Sequence, residues 1–236
     1  MIMHMSLPQK IIVLCIVVLL PSHSVMAGSF SDILRVMGIS VAPSGVRGTA
    51  TILQGNLWLS KIDGTGAYRP KPITRDGTYH SPLWIPGSSQ ILAIKGNKLV
   101  QLDTEGNEEK VLYPLAGSIT LHGFDKRDAK SVLILQNSVP AVLSLANGKT
   151  TFLPYDKENE EDRTAAARLS RDFRSYGHVK VFVESQPMFD ALDNEEGNNK
   201  IHIIGEQIPE TVIPCPEYCI QPALSENGRQ LVFVGP

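Results

Sequence analysis

Ser81-Pro82-Leu83-Trp84-Ile85-Pro86-Gly87-Ser88-Ser89-Gln90-Ile91-Leu92-Ala93-Ile94 and Gln221-Pro222-Ala223-Leu224-Ser225-Glu226-Asn227-Gly228-Arg229-Gln230-Leu231-Val232-Phe233-Val234 align without a gap, Pro82 on Pro222 and Gln90 on Gln230. Each copy reads as a short strand, a polar turn containing glycine, and a second, strongly apolar strand, which is the logic of a β-hairpin. A second element also returns, in Leu57-Trp58-Leu59-Ser60-Lys61-Ile62-Asp63-Gly64-Thr65-Gly66 and Lys98-Leu99-Val100-Gln101-Leu102-Asp103-Thr104-Glu105-Gly106. Weaker copies follow in Val142-Leu143-Ser144-Leu145-Ala146-Asn147-Gly148 and Ile201-His202-Ile203-Ile204-Gly205.

The step from Asp63 to Asp103 is about 40 residues, the period of propeller blades. Alternation around Leu57, Leu59 and Ile62, and around Leu99 and Leu102, turns apolar side chains to a core, while Asp and Gly make the turn into the next strand. The expected fold is therefore all-β, a propeller-like array of about four to five four-stranded antiparallel blades, complete or incomplete. The units run 38–78, 79–117, 118–163 and 164–219, followed by a half-blade, 220–236. An amino-terminal strand normally completes the last blade of a propeller. Ser31-Asp32-Ile33-Leu34-Arg35-Val36-Met37 is the candidate, giving five blades with one thin. An open arc, or a piece of a larger propeller, is the competing arrangement, and it would expose an apolar edge to self-association.

Pro82-Leu83-Trp84-Ile85-Pro86-Gly87 and Pro222-Ala223-Leu224-Ser225-Glu226-Asn227-Gly228 resemble the TolB-like propeller repeat, whose blades carry a Pro-x-Trp-Ser-Pro-Asp-Gly-like turn and later an Asp-x-x-Gly. The first copy lacks the Asp before Gly87; the second has Leu224 where Trp stands and Glu226 where Pro stands. The resemblance covers most of residues 39–236. It implies an exported binding or scaffold protein that holds a protein partner with the loops of one propeller face.

Lys10, the apolar run Ile11 to Leu20 and the small-residue stretch ending Val25-Met26-Ala27 make a three-part secretory signal, residues 1–27, leaving 28–236 as the β domain. The run reaches only about half of the roughly 20 residues a membrane helix needs. A periplasmic or secreted protein with no membrane span after cleavage is the expectation, with an uncleaved anchor as the alternative. The chain carries 22 Lys and Arg against 24 Asp and Glu, with no concentrated basic run, so nucleic acid is not an expected partner. Past the signal only Cys215 and Cys219 remain, in Cys215-Pro216-Glu217-Tyr218-Cys219; in an oxidising compartment they can pair locally, and two free thiols are the alternative.

Catalytic motifs are sparse. There is no Gly-x-Ser-x-Gly elbow and no phosphate-cradling Gly-x-x-x-x-Gly-Lys-Ser or Gly-x-x-x-x-Gly-Lys-Thr loop. His80, His122, His178 and His202 are far apart in sequence rather than in metal-ligand spacing, so no metal or cofactor is expected. Equivalent positions in different blades can nevertheless converge on a central channel, and His80 and His122 are the candidates for that. A hydrolase or small-ligand site there is the alternative to protein binding. Asp190, Asp193, Glu195 and Glu196 lie in an acidic loop whose spacing matches no calcium loop. Asp63, Asp76 and Asp103, each beside glycine or near one, read as turn caps. Trp58 and Trp84 are expected between blades, and Tyr68, Tyr79 and Tyr113 as exposed blade-end anchors for a partner. Glu158 to Leu169 has an acidic first turn and helix-favouring composition, predicting a short surface helix.

Overall fold

The computed structural model describes residues 29–39, 54–66, 68–169, 173–176, 178–184, 200–206, 208–215 and 217–236. The expected signal, 1–27, and the acidic loop from Asp190 to Asn199 lie outside the described residues. A helix, α1 (Phe30–Met37), precedes two strands, β1 (Asn56–Lys61) and β2 (Lys71–Pro72). The first blade follows as β3 (Tyr79–Trp84), β4 (Ile91–Lys95), β5 (Lys98–Leu102) and β6 (Glu108–Pro114). The second is β7 (Ile119–Asp125), β8 (Asp128–Gln136), β9 (Val139–Ser144) and β10 (Thr150–Phe152). Helix α2 (Glu160–Ala167) leads to the third, β11 (Phe173–Tyr176), β12 (Val179–Glu184), β13 (Lys200–Gly205) and β14 (Ile208–Pro214). Last come β15 (Ile220–Leu224) and β16 (Gln230–Gly235).

β16 pairs antiparallel with β1, from Asn56 opposite Gly235 to Lys61 opposite Gln230, and β2 pairs on the other side of β1. The sheet order β15-β16-β1-β2 makes one blade from the two ends of the chain, so the molecule is a four-bladed β-propeller. Of the four to five blades expected, the count is four, because the units 38–78 and 220–236 are two halves of one closing blade. The recurring segments fall at the same place in every blade, since β1, β5, β9 and β13 are all third strands, and the two long aligned segments are the hairpins β3-β4 and β15-β16.

The strand expected over Ser31 to Met37 is instead α1, and its sequence explains why. Phe30, Ile33, Leu34 and Met37 follow the i, i+3, i+4, i+7 rule of a helix face, and all four are buried. The side chain of Ser29 accepts the Asp32 N–H as an N-cap, and Gly38 closes the other end at φ 75°. Helix α1 is joined to α2 through the Phe30 N–H, which donates to Asp162 Oδ1 at 3.0 Å. The helix expected between Glu158 and Leu169 is present as α2, capped by Asn159, whose side chain accepts the N–H groups of Glu161 and Asp162.

Packing between blades explains the apolar runs. In β4, Ile91 and Ala93 join the cluster shared with Leu57, Val232 and Val234 of the closing blade, whereas Leu92 and Ile94 join Leu121, Val132 and Ile134 of the second. A strand packed on both faces has no room for polar alternation, and each fully buried Leu or Ile contributes about 1.5–3 kcal/mol. Trp84 donates its indole N–H to the Ala223 carbonyl at 2.9 Å, spanning first and closing blades; Trp58 stacks on Phe233 beside the third blade's cluster. The far face of the second blade, with Leu133, Leu135 and Val142, packs on α1 and α2.

Candidate functional site

β3 contacts both β7 and β15, and β11 contacts β15, so the first strand of each blade lies innermost around the axis. Three of these strands break register, between His80 and Leu83, Leu121 and Gly123, and Ile220 and Ala223. Such bulges re-aim side chains, and here they bring polar residues into the interior. Ser81 and Gln221, aligned positions of the two hairpins, both take positive φ, 53° and 56°, which is costly for residues other than glycine. The conformation is held by a bond between blades: the Ser81 N–H donates to Gln221 Oε1 at 2.5 Å. His80, Ser81, Thr120, His122, Arg174 and Gln221 are all buried, so each of the four inner strands contributes to a polar interior.

Where the inner strands end, a recess of about 480 Å³ opens, lined from all four blades. Its buried floor includes Trp84 of β3, His122 of β7, Arg174 of β11 and Leu224 of β15. Phe124 and Tyr176 are half-buried walls, and Lys126 and Glu226 are exposed at the rim. Tyr176 is fixed in place, its hydroxyl oxygen accepting the Leu224 N–H at 3.1 Å, and burial raises its pKa, keeping the phenol neutral. His122 Nε2 lies 2.8 Å from Thr120 Oγ1 on the same strand. The guanidinium of Arg174 donates to the carbonyls of Phe173 and Leu121, each at 3.3 Å, the second bond crossing from third to second blade.

The other charges at the mouth are partly balanced. Asp125 is gripped in a fork by Arg127, at 2.9 Å from Nε and 2.5 Å from Nη2. Glu226 accepts the Gly87 N–H at 2.9 Å, tying the closing blade's turn to the first. The recess thus combines aromatic and aliphatic walls with a buried arginine and histidine in its floor, the mixture of apolar surface and a few polar groups typical of a binding cleft.

Of the binding candidates Tyr68, Tyr79, His80, Tyr113 and His122, it is His122 that lines this recess, beside Trp84, which was expected between blades. His80 lies toward the opposite mouth, lining a cavity of about 230 Å³, with Nδ1 3.1 Å from Ser81 Oγ. Tyr79 is not an exposed anchor but 3% exposed. Its hydroxyl donates to Glu108 Oε1 at 2.6 Å, and Lys95, paired with Asp76 at 2.8 Å and with Glu108, sits over its ring. Burial and then Glu108 push the Tyr79 pKa up to about 12. A tyrosine at the start of an inner strand meets the neighbouring strands on both faces, which is why it is lost to the surface. Tyr113 is half-buried, donating to the Leu145 carbonyl at 3.0 Å. Tyr68, also half-buried, packs at the seam of third and closing blades.

Asp63 and Asp103 do cap their turns, accepting from Thr65 N–H and from Glu105 and Asn107 N–H, while Asp76 is drawn to Lys95. Cys215 and Cys219 form a disulfide with Cα atoms 5.6 Å apart, buried at the same seam. Among the described residues no group of three or more His, Cys, Asp or Glu is placed to hold a metal ion. Arg174 is the residue that sequence reasoning passed over. Its signal was an arginine set between aromatic residues in the short strand Phe173-Arg174-Ser175-Tyr176. A scan of family models and a search of curated proteins find no match to this chain.

Proposed function

We propose that this chain is an exported binding protein of the bacterial envelope, which holds a protein partner at the propeller mouth where β3, β7, β11 and β15 end. The observation that carries the proposal is the convergence of all four blades on one recess with apolar walls and buried polar side chains in its floor. Recognition sites gather such anchors in a desolvated centre and surround them with an exposed polar rim, and Lys126 and Glu226 supply that rim. The three-part amino terminus and the Cys215–Cys219 disulfide support an oxidising compartment outside the cytoplasm. The resemblance to TolB-like repeats supports the same class.

The test is a mild cross-linking capture from the native envelope with the tagged protein, comparing wild type with Lys126→Glu and Glu226→Arg. A stoichiometric partner is expected, its recovery falling about tenfold in the rim variants through charge reversal at the contact. A Phe152→Ser control, on the outer strand β10 and 58% exposed, keeps the partner. Equal capture by the rim variants overturns the assignment of this face.

A further inference from the structure

Resting on that reading, we propose that the partner presents an extended segment with an acidic, an apolar and a basic side chain in a row. The acidic one meets Lys126, the apolar one enters the recess, and the basic one meets Glu226. The recess is one part of a longer depression. It shares Gly38 and Ile39 with a cleft of about 920 Å³ along α1 and α2. It shares Tyr176, Leu224 and Glu226 with a cleft of about 740 Å³ at the seam of the third and closing blades. The three clefts therefore make one continuous trough from the helices, across the four inner strands, to that seam. A trough of this kind takes a chain laid out along it, and in an extended chain alternate side chains point down into one face.

A charge of opposite sign marks each junction. On the helix side Lys126 is exposed, its stem close over Gly38 and its N–H donating to the Met37 carbonyl at 3.0 Å. On the seam side Glu226 is exposed, held by the Gly87 N–H at 2.9 Å. Among the described residues neither side chain has an ion-pair partner. The charges around them are engaged or balanced. Glu210 in the seam cleft lies 2.6 Å from His202 Nδ1, and Asp125 is gripped by Arg127. Along the helix cleft Arg35 and Arg168 stand against Glu160 and Glu161. Lys126 thus selects a carboxylate and Glu226 a cation, which fixes the direction in which the segment's charges run. Between the two junctions Leu83, Trp84 and Leu224 are buried and Phe124 is half-buried, so the side chain over the recess meets aromatic and aliphatic surface. The volume there, about 480 Å³, suits one such side chain with its flanking backbone.

The test uses the full mature protein and the peptide acetyl-Ala-Glu-Ala-Leu-Ala-Lys-Ala-amide, with glutamine placed singly at its Glu, Leu or Lys. Affinities are read by calorimetry and by tryptophan emission, Trp84 lying in the recess floor. Replacing the peptide's leucine is expected to weaken binding at least about tenfold, since the burial of an aliphatic side chain is lost. Replacing either charge should weaken it about threefold, as for pairs at an exposed rim. Lys126→Gln should abolish the difference between the Glu and Gln peptides and keep that between the Lys and Gln peptides; Glu226→Gln should do the reverse. Both side chains are exposed, and circular dichroism confirms that the two variants fold. Failure of any of these contrasts, or binding of no probe, overturns the inference. Envelope capture is read on the whole partner and these contrasts on synthetic peptides. A partner captured by wild type and lost in the rim variants, alongside failed peptide contrasts, leaves the binding reading standing and removes only the extended segment.

Discussion

The first and third blades are built on the same strand order but bury their sheets differently. In the first blade β4 reads Ile91-Leu92-Ala93-Ile94, every side chain buried, alternate residues serving the closing and second blades. In the third blade, Val181, Ile201, Ile203 and Ile213 face the closing blade, while the opposite face carries Phe182, His202, Ile204 and Val212. That second face is only partly covered among the described residues: Ile204 is 37% and Val212 38% exposed. Packing on two faces demands an apolar run, and packing on one permits alternation, as in Val179-Lys180-Val181-Phe182-Val183-Glu184. The difference teaches that a repeat is clearest in sequence where both faces of the sheet are packed.

The largest effect should separate these blades directly. Leu92→Ala, at a fully buried position, is expected to cost about 2–5 kcal/mol, whereas Ile204→Ala should cost about 1 kcal/mol or less, both read from urea midpoints at constant m-value. Similar losses at the two positions would break the contrast. The disulfide comes next, because it secures the single packed face of the third blade. Removing it in Cys215→Ala/Cys219→Ala should cost about 2 kcal/mol, the loop-closure value for so short a span, and should raise amide exchange in β13 and β14 more than in β4 and β5.

The smallest effect is electrostatic and belongs to the half-covered face. His202 stacks on Phe182, with Nδ1 2.6 Å from Glu210 Oε1 and Nε2 3.0 Å from Glu184 Oε2. Burial pulls its pKa down, but the two carboxylates outweigh it and the net direction is upward. A histidine raised above its unfolded value of about 6.5 contributes fully below that pH and loses the contribution as pH rises through the raised folded value. Stability should therefore decline gently above neutrality by no more than about 1 kcal/mol, as expected of pairs with half-exposed partners. His202→Gln should abolish that slope, measured as urea midpoints between pH 5 and 9; an unchanged slope would place its origin elsewhere.

The blades were legible in the sequence where hairpins and two-sided burial impose local constraints. Pro82 and Pro222, the Gly-containing turns and the apolar strands after them marked β3-β4 and β15-β16, and Asp63 and Asp103 marked the ends of third strands. The helical spacing of Phe30, Ile33, Leu34 and Met37 stands in the sequence too, but that segment was expected as the closing strand. The site was far less visible. Trp84, His122, Arg174 and Leu224 are scattered over the chain and no short-range pattern joins them.

By itself the sequence determined an all-β chain of repeated hairpins and the turn chemistry that ends its strands, because these follow from the two-residue period of a strand and from the conformations Gly and Asp allow. Tertiary structure alone decided that there are four blades, since that rests on β1 pairing with β16 from the other end of the chain. It alone decided which tyrosines lie inside and where Arg174 sits. Pairings and burial of this kind arise when distant strands close the ring, and each depends on surfaces that exist only once the others have formed.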